Sequence, residues 1–222
     1  KGKSVLVVDK REHIGGNVYT KNVGGVNVHL YGCHIFHTDK KDVWEYINRF
    51  VSFNNYRHKG MVNFKGKMYS FPINLMTMSQ IWGVTTPSEA RRRIAEEAVP
   101  NSRPSNMEEW CLSTIGKTLY ETFIEGYSTK QWNRHPRELP ATIVKRLPVR
   151  FTFNDDYFHD LTYQGIPVGG YTKMVENMLD GVKVELGVDF LTMKDKWGRY
   201  AERLVYCGGI DSYFDNTYGE LE

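Results

Sequence analysis

Along the chain, apolar residues first gather in the stretch "VLVVDKREHIGGN" (5–17), where a nearly continuous run over Lys3–Asp9 closes on a carboxylate. A short run without polar alternation predicts a strand buried on both faces of a parallel sheet. Gly24-Gly25 and the following "VNVHLYG" predict a turn and an alternating strand leading toward Cys33–Thr38. Asp39 is placed to cap a helix over Lys40–Phe50, with Val43, Tyr46, Ile47 and Phe50 on one side. Residues 51–72 then switch to period two, and "MVNFKGKMYSF" predicts a hairpin turning at Lys65-Gly66. From Asn74 to Arg146 the periodicity is mainly helical. Thr86-Pro87-Ser88-Glu89 joins an N-cap, a first-turn proline and a capping-box acid. Ser105–Glu108 repeats the box for a second helix ending near Gly116, and a third is predicted over Lys117–Glu125, stopping at Gly126. Residues 149–164 are strand-like in composition. "GIPVGGY" is a glycine-rich turn feeding a helix over Thr172–Leu179, closed by Gly181, and "VKVELGVDF" and "RLVYCGGID" are predicted strands. The layout is α/β with a helical insertion, then more strands, and it holds no internal repeat.

Composition narrows this only slightly. The 222 residues provide material for one large domain or two smaller ones, with 41% hydrophobic and 25% charged residues, as in ordinary globular proteins. A balance of 29 basic against 26 acidic residues leaves +3, so no global field favours nucleic acid or a membrane surface. Arg91-Arg92-Arg93 is read as a solvated helix face, because Glu89, Glu96 and Glu97 lie close by in sequence. Three widely spaced cysteines, Cys33, Cys111 and Cys207, do not make a disulfide framework and fit a reducing cytosol. No apolar stretch approaches the roughly 20 residues that span a bilayer. The 14 Tyr, 11 Phe and 5 Trp offer surfaces for a flat ligand, or for an ordinary core.

Four stretches carry candidate chemistry. Asp9 ends a strand where a carboxylate can accept ribose hydroxyls, and Gly15 and Gly16 allow a pyrophosphate to approach backbone; a purely structural strand and turn share this pattern. "YGCHIFHT" (31–38) holds Cys33, His34 and His37, but no fourth ligand stands at a familiar spacing and adjacent strand residues face opposite ways, so no metal is expected. Packed histidines, or His34 beside a cofactor ring, both remain open. "FIEGYSTKQW" (123–132) crowds Phe123, Tyr127, Ser128 and Trp132 around a predicted helix break, either as a nucleobase pocket or as a hydrophobic staple between two helices. "KRLPVRFTFNDDYF" (145–158) offers Lys145, Arg146 and Arg150, then Tyr157, as a diphosphate clamp or as surface ion pairs.

These stretches, together with "FPINL", "ELPATIVKRLPVRFTF" and "YQGIPVGGYTKMVENML", occur in the order in which they stand in UDP-galactopyranose mutases, and the resemblance covers nearly the whole chain. It implies a partial Rossmann-like FAD-binding domain with an inserted helical domain and an antiparallel β-sheet domain. The implied division is 1–50 and 191–222 for the FAD part, 51–73 and 147–190 for the sheet domain, and 74–146 for the helices. The implied activity interconverts UDP-galactopyranose and UDP-galactofuranose, using reduced FAD as a nucleophile through a flavin N5–sugar adduct. The implied cofactor residues are Asp9, Gly15, Gly16, Asn17, His34 and Ile35. The implied substrate residues are His58, Phe123, Tyr127, Ser128, Trp132, Arg146 and Tyr157, with Arg146 and His34 closest to the chemistry.

Asp9 stands where relatives usually have Glu, Ser128 where Thr is common, Cys33 where Ala is common, and Asn133 where Gly often follows the tryptophan. The resemblance also implies an internal fragment, lacking the glycine-rich loop before Lys1 and the region beyond Glu222. Poor FAD binding and no catalysis by these 222 residues alone are therefore expected. The implied partners are UDP-galactose and UDP-galactofuranose, without nucleic acid or membrane insertion, in a cytoplasmic protein for which a homodimer is allowed. The competing readings are a related FAD-dependent oxidase or desaturase, and a truncated sugar-nucleotide-binding module.

Overall fold

The computed structural model describes residues 2–145, 148–158 and 162–221. In chain order its elements are β1 (Leu6–Asp9), β2 (Thr20–Val23), β3 (Val26–His29), β4 (Phe36–Thr38), α1 (Lys41–Ile47), β5 (Gly60–Phe64), β6 (Lys67–Phe71), α2 (Leu75–Trp82), α3 (Pro87–Glu97) and α4 (Met107–Thr114). There follow α5 (Lys117–Leu119), a π-helical stretch (Tyr120–Glu125), α6 (Gly126–Trp132), β7 (Tyr163–Gly165), α7 (Tyr171–Met178), β8 (Lys183–Leu186) and α8 (Ile210–Tyr213), with 3₁₀ turns between. The chain divides into two compact units, one formed by 1–56 with 162–222 and the other by 57–161.

In the first unit β1 and β8 pair in parallel, from Leu6 opposite Lys183 to Asp9 opposite Leu186. The expected parallel strand is present, but it is not buried: Val5 is 50% and Leu6 39% exposed, because β8 is its one ladder partner among the described residues. The β2–β3 hairpin turns on Gly24 and Gly25, both at positive φ. β4 pairs antiparallel with β7, and Phe36, Trp44, Phe53 and Tyr163 pack into an aromatic cluster beside them, with Trp44 stacked on Tyr163 at 5.4 Å. The start of the hairpin is stapled to the start of α7. Thr20 donates its N–H to Thr172 Oγ1 (2.8 Å), Thr172 Oγ1 donates to the Thr20 carbonyl (2.8 Å), and Tyr171 N–H donates to Thr20 Oγ1 (3.1 Å). The approach is close enough that a Cβ on Gly170 would stand 2.7 Å from Thr20 Cγ2.

The second unit has the larger core, in which Ile73, Met78, Met107, Cys111, Leu119, Phe123 and Ile124 are buried. The β5–β6 hairpin turns on Lys65 and Gly66 at positive φ, where it was expected. It packs on the π-helical stretch through Tyr69 and Phe71, both within 6.1 Å of the Phe123 ring. α3 carries the expected capping box from Thr86 and Glu89. A second box, unforeseen, opens α2. Asn74, fully buried, accepts from Thr77 N–H (3.1 Å) and donates through Nδ2 to Ser70 Oγ (2.9 Å) and the Pro72 carbonyl (3.0 Å), while Thr77 Oγ1 donates to the Ser70 carbonyl (2.7 Å).

Six expectations are corrected. α1 is preceded by Lys40 rather than capped by Asp39, since Thr38 Oγ1 already accepts the Lys40 N–H (3.1 Å). Tyr46 lies outside its packed face at 53% exposure, and Trp44 packs there instead. The α4 cap is shifted by one residue and is not a full box: Asn106 Oδ1 accepts the Glu109 N–H while the Glu109 carboxylate accepts the Ser105 N–H, because that frame turns Met107 and Cys111 into the core and leaves Glu108 to pair with Arg137. The third helix does not stop at Gly126, which adopts an ordinary helical φ of −65°; winding continues to Trp132 because Ser128 prolongs the buried face set by Phe123 and Ile124. Of 149–164, Tyr163 and Gln164 lie in a strand and Lys59–Asp156 forms an isolated bridge. The expected strand "RLVYCGGID" has no ladder partner among the described residues, and Val205 is 86% exposed, since an extended segment becomes a strand only when a neighbour takes its N–H and C=O groups.

Replacing Asn74 by Ala leaves the Thr77 N–H and the Pro72 carbonyl buried without these partners. We expect Asn74→Ala to lower the unfolding free energy by about 2–4 kcal/mol, measured by urea denaturation, with the loss largely restored by Asp or Ser only at the capping bond.

Candidate functional site

In the first unit the expected cofactor residues lie around the turn that leaves β1. Asp9 Oδ1 accepts the Arg11 N–H (2.9 Å), and Oδ2 has no partner among the described residues. Gly15 (φ 85°) and Gly16 (φ 52°) bend the chain into a 3₁₀ turn over Gly16–Val18, and no described residue accepts from the N–H of either glycine. Arg11 donates through Nη2 to Asn17 Oδ1 (2.8 Å), and its guanidinium lies 4.5 Å above the Tyr31 ring. His13 braces the same turn, stacked on Tyr19 at 3.9 Å, with Nε2 2.8 Å from the Tyr31 hydroxyl. The structure therefore brings Asp9, Gly15, Gly16 and Asn17 together through Arg11, His13 and Tyr31, which were not among the expected residues.

His34 and Ile35 lie on the loop between β3 and β4, both half-buried. The His34 N–H donates to His29 Nδ1 (3.1 Å), and His34 Nδ1 stands 2.8 Å from the Gly32 carbonyl. These contacts set two opposite tautomers: a nitrogen that accepts carries no proton, and a nitrogen facing a carbonyl must carry one. His29 is therefore protonated on Nε2 and His34 on Nδ1. Both rings approach the edge of Tyr171, at 5.5 and 6.4 Å. Burial, and then the charge of His34, lower the His29 pKa below the ordinary imidazole value; burial pushes the Tyr171 phenol up to about 12. His29 and Cys33 line an open depression of about 660 Å³ whose far wall is Asn54 and Ile166–Gly169. His29 was missed in the sequence because it was read as one strand residue of "VNVHLYG"; its five-residue spacing from His34 was the available signal. Among the described residues no three His, Cys, Asp or Glu side chains gather to hold a metal ion.

In the second unit, α6 and the π-helical stretch before it carry the expected base pocket. Tyr127 (67%) and Trp132 (49%) are exposed, whereas Ser128, one turn before Trp132, is 7% exposed. Phe123 is a correction: at 3% exposure its ring is a core contact of Phe71 and Tyr69, and it offers no face to a ligand here. Asn133 closes the helix at φ 50°, the left-handed position that glycine usually fills and that Asn tolerates best among other residues. His58 and Tyr157, 99 residues apart, are brought side by side: Tyr157 N–H donates to the His58 carbonyl (2.9 Å), and their rings lie 5.0 Å apart. Arg150 is a support rather than a ligand clamp, 6% exposed and donating from Nη1 to the carbonyls of Asn154 (3.2 Å) and Asp156 (2.5 Å) in the loop that leads to Tyr157. Arg146 lies outside the described residues.

Comparison with known proteins adds the family. The family model described as UDP-galactopyranose mutase matches residues 122–222, and that of an NAD(P)-binding Rossmann-like domain matches 1–50. A probable UDP-galactopyranose mutase of Klebsiella pneumoniae is 42% identical over 99% of this chain and 58% of its own length. The chain belongs to the UDP-galactopyranose mutase family. Another member, the dTDP-fucopyranose mutase of Escherichia coli, is 40% identical over 98% of this chain and 60% of its own length. The UDP-galactopyranose mutase of Mycoplasma pneumoniae is 29% identical over 100% and 60%. The chain thus spans about 60% of the length of these curated relatives. A crystal structure of reduced UDP-galactopyranose mutase superposes with a TM-score of 0.60 over 81% of this chain and 42% of its own, at 16% identity, and so shares the fold. The α/β class with a Rossmann-like part is borne out, and the mutase family is one of FAD enzymes.

Because burial lowers the folded-state pKa of both His29 and His37, the unfolded chain binds more protons just below pH 6.5. Their contribution to stability is complete above about pH 6.5 and is lost as pH falls through the lower folded values. The urea midpoint is expected to fall between pH 7.5 and 5, with part of the fall absent in a His37→Gln variant. Asn133→Gly should preserve stability within about 1 kcal/mol, whereas Asn133→Val should cost more, because a β-branched side chain resists positive φ.

Proposed function

We propose that the protein acts as a flavin-dependent mutase that exchanges the pyranose and furanose ring forms of a nucleoside-diphosphate hexose, with UDP-galactose and UDP-galactofuranose as the first pair. The observation that carries the substrate side is the pair of large aromatics, Tyr127 and Trp132, left exposed beside the Ser128 hydroxyl on a helix whose other face is core. Exposed aromatic faces with an adjacent hydroxyl suit a planar base, which stacks on the rings and hydrogen-bonds at its edge. In this reading the unit 57–161 binds the nucleotide sugar. Tyr127 and Trp132 hold the base, Ser128 reads its edge, and His58 and Tyr157 meet the diphosphate-sugar portion. Phe123 supports this helix from the core. Arg146 is assigned to the diphosphate, where a guanidinium stabilises the charge on the departing nucleotide through paired donors.

The residues around β1 fit FAD. The unpartnered Asp9 Oδ2 can accept a ribose hydroxyl, and the N–H groups of Gly15 and Gly16, which no described residue accepts, can meet a polar group without a Cβ intervening. Asn17 contributes its amide at the same turn. When bound, reduced FAD supplies a nucleophile for the anomeric carbon, with no net redox change. His34 and Ile35 are assigned to the ring-bearing end of that cofactor, His34 keeping its Nδ1 proton on Gly32 and so presenting Nε2. The family assignment favours this chemistry over that of an oxidase or desaturase, which requires no base-and-diphosphate site. Among the described residues no helix is long and apolar enough to cross a membrane. A cytoplasmic site of action, delivery of galactofuranose to surface polysaccharide, and a homodimer complete the proposal. The 40% identity to a dTDP-fucopyranose mutase supports a second sugar pair, since fucose differs from its galactose counterpart at the carbon outside the ring-closing chemistry.

Tryptophan-fluorescence titration with UDP and dTDP separates the two pairs by affinity, and Trp132→Ala should weaken the preferred nucleotide about tenfold or more. Saturable binding of neither nucleotide would remove the mutase reading. However weak FAD binding by these 222 residues is, Asp9→Ala should lower it about tenfold, followed by flavin fluorescence. Equal affinity of the two chains would remove Asp9 from the cofactor site.

A further inference from the structure

His29 is not one of the expected site residues, yet its Nδ1 accepts the backbone N–H of His34, which it can do only while it carries no proton. Its ring forms a triangle with those of His34 and Tyr171, at 6.5 and 5.5 Å, and it is part of the wall of the 660 Å³ depression. We propose that His29 is a positioning residue for the His34 loop: a neutral imidazole latch that accepts the His34 amide proton, sets where the His34 ring stands, and lets the loop go when it takes a proton. The role toward flavin chemistry rests on the function proposed above; the latch itself does not.

The proton balance is simple. A proton added to His29 at Nδ1 turns the acceptor lone pair into a second N–H that faces the His34 N–H, so the bond is replaced by repulsion. His34 responds differently. It can add a proton at Nε2 while Nδ1 continues to donate to Gly32. Of these two neighbours, then, protonation breaks the loop contact at His29 and leaves it intact at His34. The groups facing His29 are His34 from the loop and Tyr171 from α7, with Cys33 lining the same depression, and the Tyr171 phenol stays neutral throughout the acidic range. Asn27 on its own strand, and Asn54 and residues 166–169 across the depression, add no titratable group. Burial and the nearby His34 both favour the neutral latch near neutral pH. The Thr20–Thr172 staple holds Tyr171 in place behind the ring, so a freed loop moves against a fixed wall.

Hydrogen-exchange protection of the His34 amide, read by ¹⁵N–¹H NMR on this chain, tests the latch. In the wild type, protection should fall about tenfold between pH 7.5 and 5, equivalent to the loss of one ordinary hydrogen bond. His29→Asn offers Oδ1 near the position of Nδ1 and cannot be protonated, so it should retain protection at both pH values. His29→Phe should lose protection at both. A transition that persists in His29→Asn would assign the titration to His34 and overturn the proposal, as would unchanged protection in folded His29→Phe. Should the Phe variant fail to fold, the Asn variant decides alone. FAD titration of the same proteins reports separately: equal FAD affinity of the wild type and a folded His29→Phe variant would count against a role of the latch toward flavin while leaving the latch itself to the amide signal.

Discussion

The reciprocal hydrogen bonds between Thr20 and the first turn of α7 tie the β2–β3 hairpin of the first unit to the helix that backs the histidine loop. Thr20 and Thr172 are 152 positions apart, yet each satisfies the other's backbone or hydroxyl. Their approach leaves no room for a Cβ at Gly170, and it seats Tyr171 behind His29 and His34. The β2–β3 hairpin is largely exposed and has little core of its own, so its position depends on this staple. Through it, the turn after β1 and the histidine loop, which lie at the two ends of the hairpin, are held by one set of bonds.

The second unit relies on a different device, a buried polar hub beneath a helix of mixed winding. Asn74 and Thr77 tie the end of β6 to the start of α2, and the hairpin then lays Tyr69 and Phe71 on the π-helical stretch. A π-helical insertion shifts the phase of side chains on the turns that follow. Here it accompanies a helix that buries Tyr120, Phe123 and Ile124 yet leaves Tyr127 and Trp132 exposed. The Tyr120 hydroxyl is buried there without a partner among the described residues, and burial with the nearby Glu108 and Glu125 keeps it protonated. The exposed aromatics therefore stand on a helix whose other side is buried in the core, a firmer support for recognition than a loop would give.

Much of this was legible because the signals were local. Lys65-Gly66 and Gly24-Gly25 predicted tight hairpin turns, and both pairs adopt positive φ. Thr86 and Glu89 predicted a capping box, and it formed. Signals that depended on frame or neighbours went astray. Ser105 and Asn106 offer the same cap one residue apart, and only the core, by taking Met107 and Cys111, selects between them. Gly126 reads as a stop, but nothing prevents glycine from continuing a helix whose buried face continues. "RLVYCGGID" has the composition of a strand, and composition cannot supply the partner that makes one. Phe123 shares the aromatic composition of the exposed Tyr127 and Trp132, but its own side chain turns into the core.

By itself the sequence determined the hairpin turns, the α3 capping box, the strand-end carboxylate at Asp9 and the likeness to a mutase family, because each is written in contiguous residues with chemistry of their own. The tertiary structure alone decided that His29 accepts from His34, that Tyr157 lies beside His58, that Arg150 supports a loop instead of meeting a phosphate, and which aromatic of 123–132 faces outward. Those outcomes depend on which distant segments share a hydrogen bond or a core. Such contacts are set by packing over the whole unit rather than by the residue types on either side of the bond.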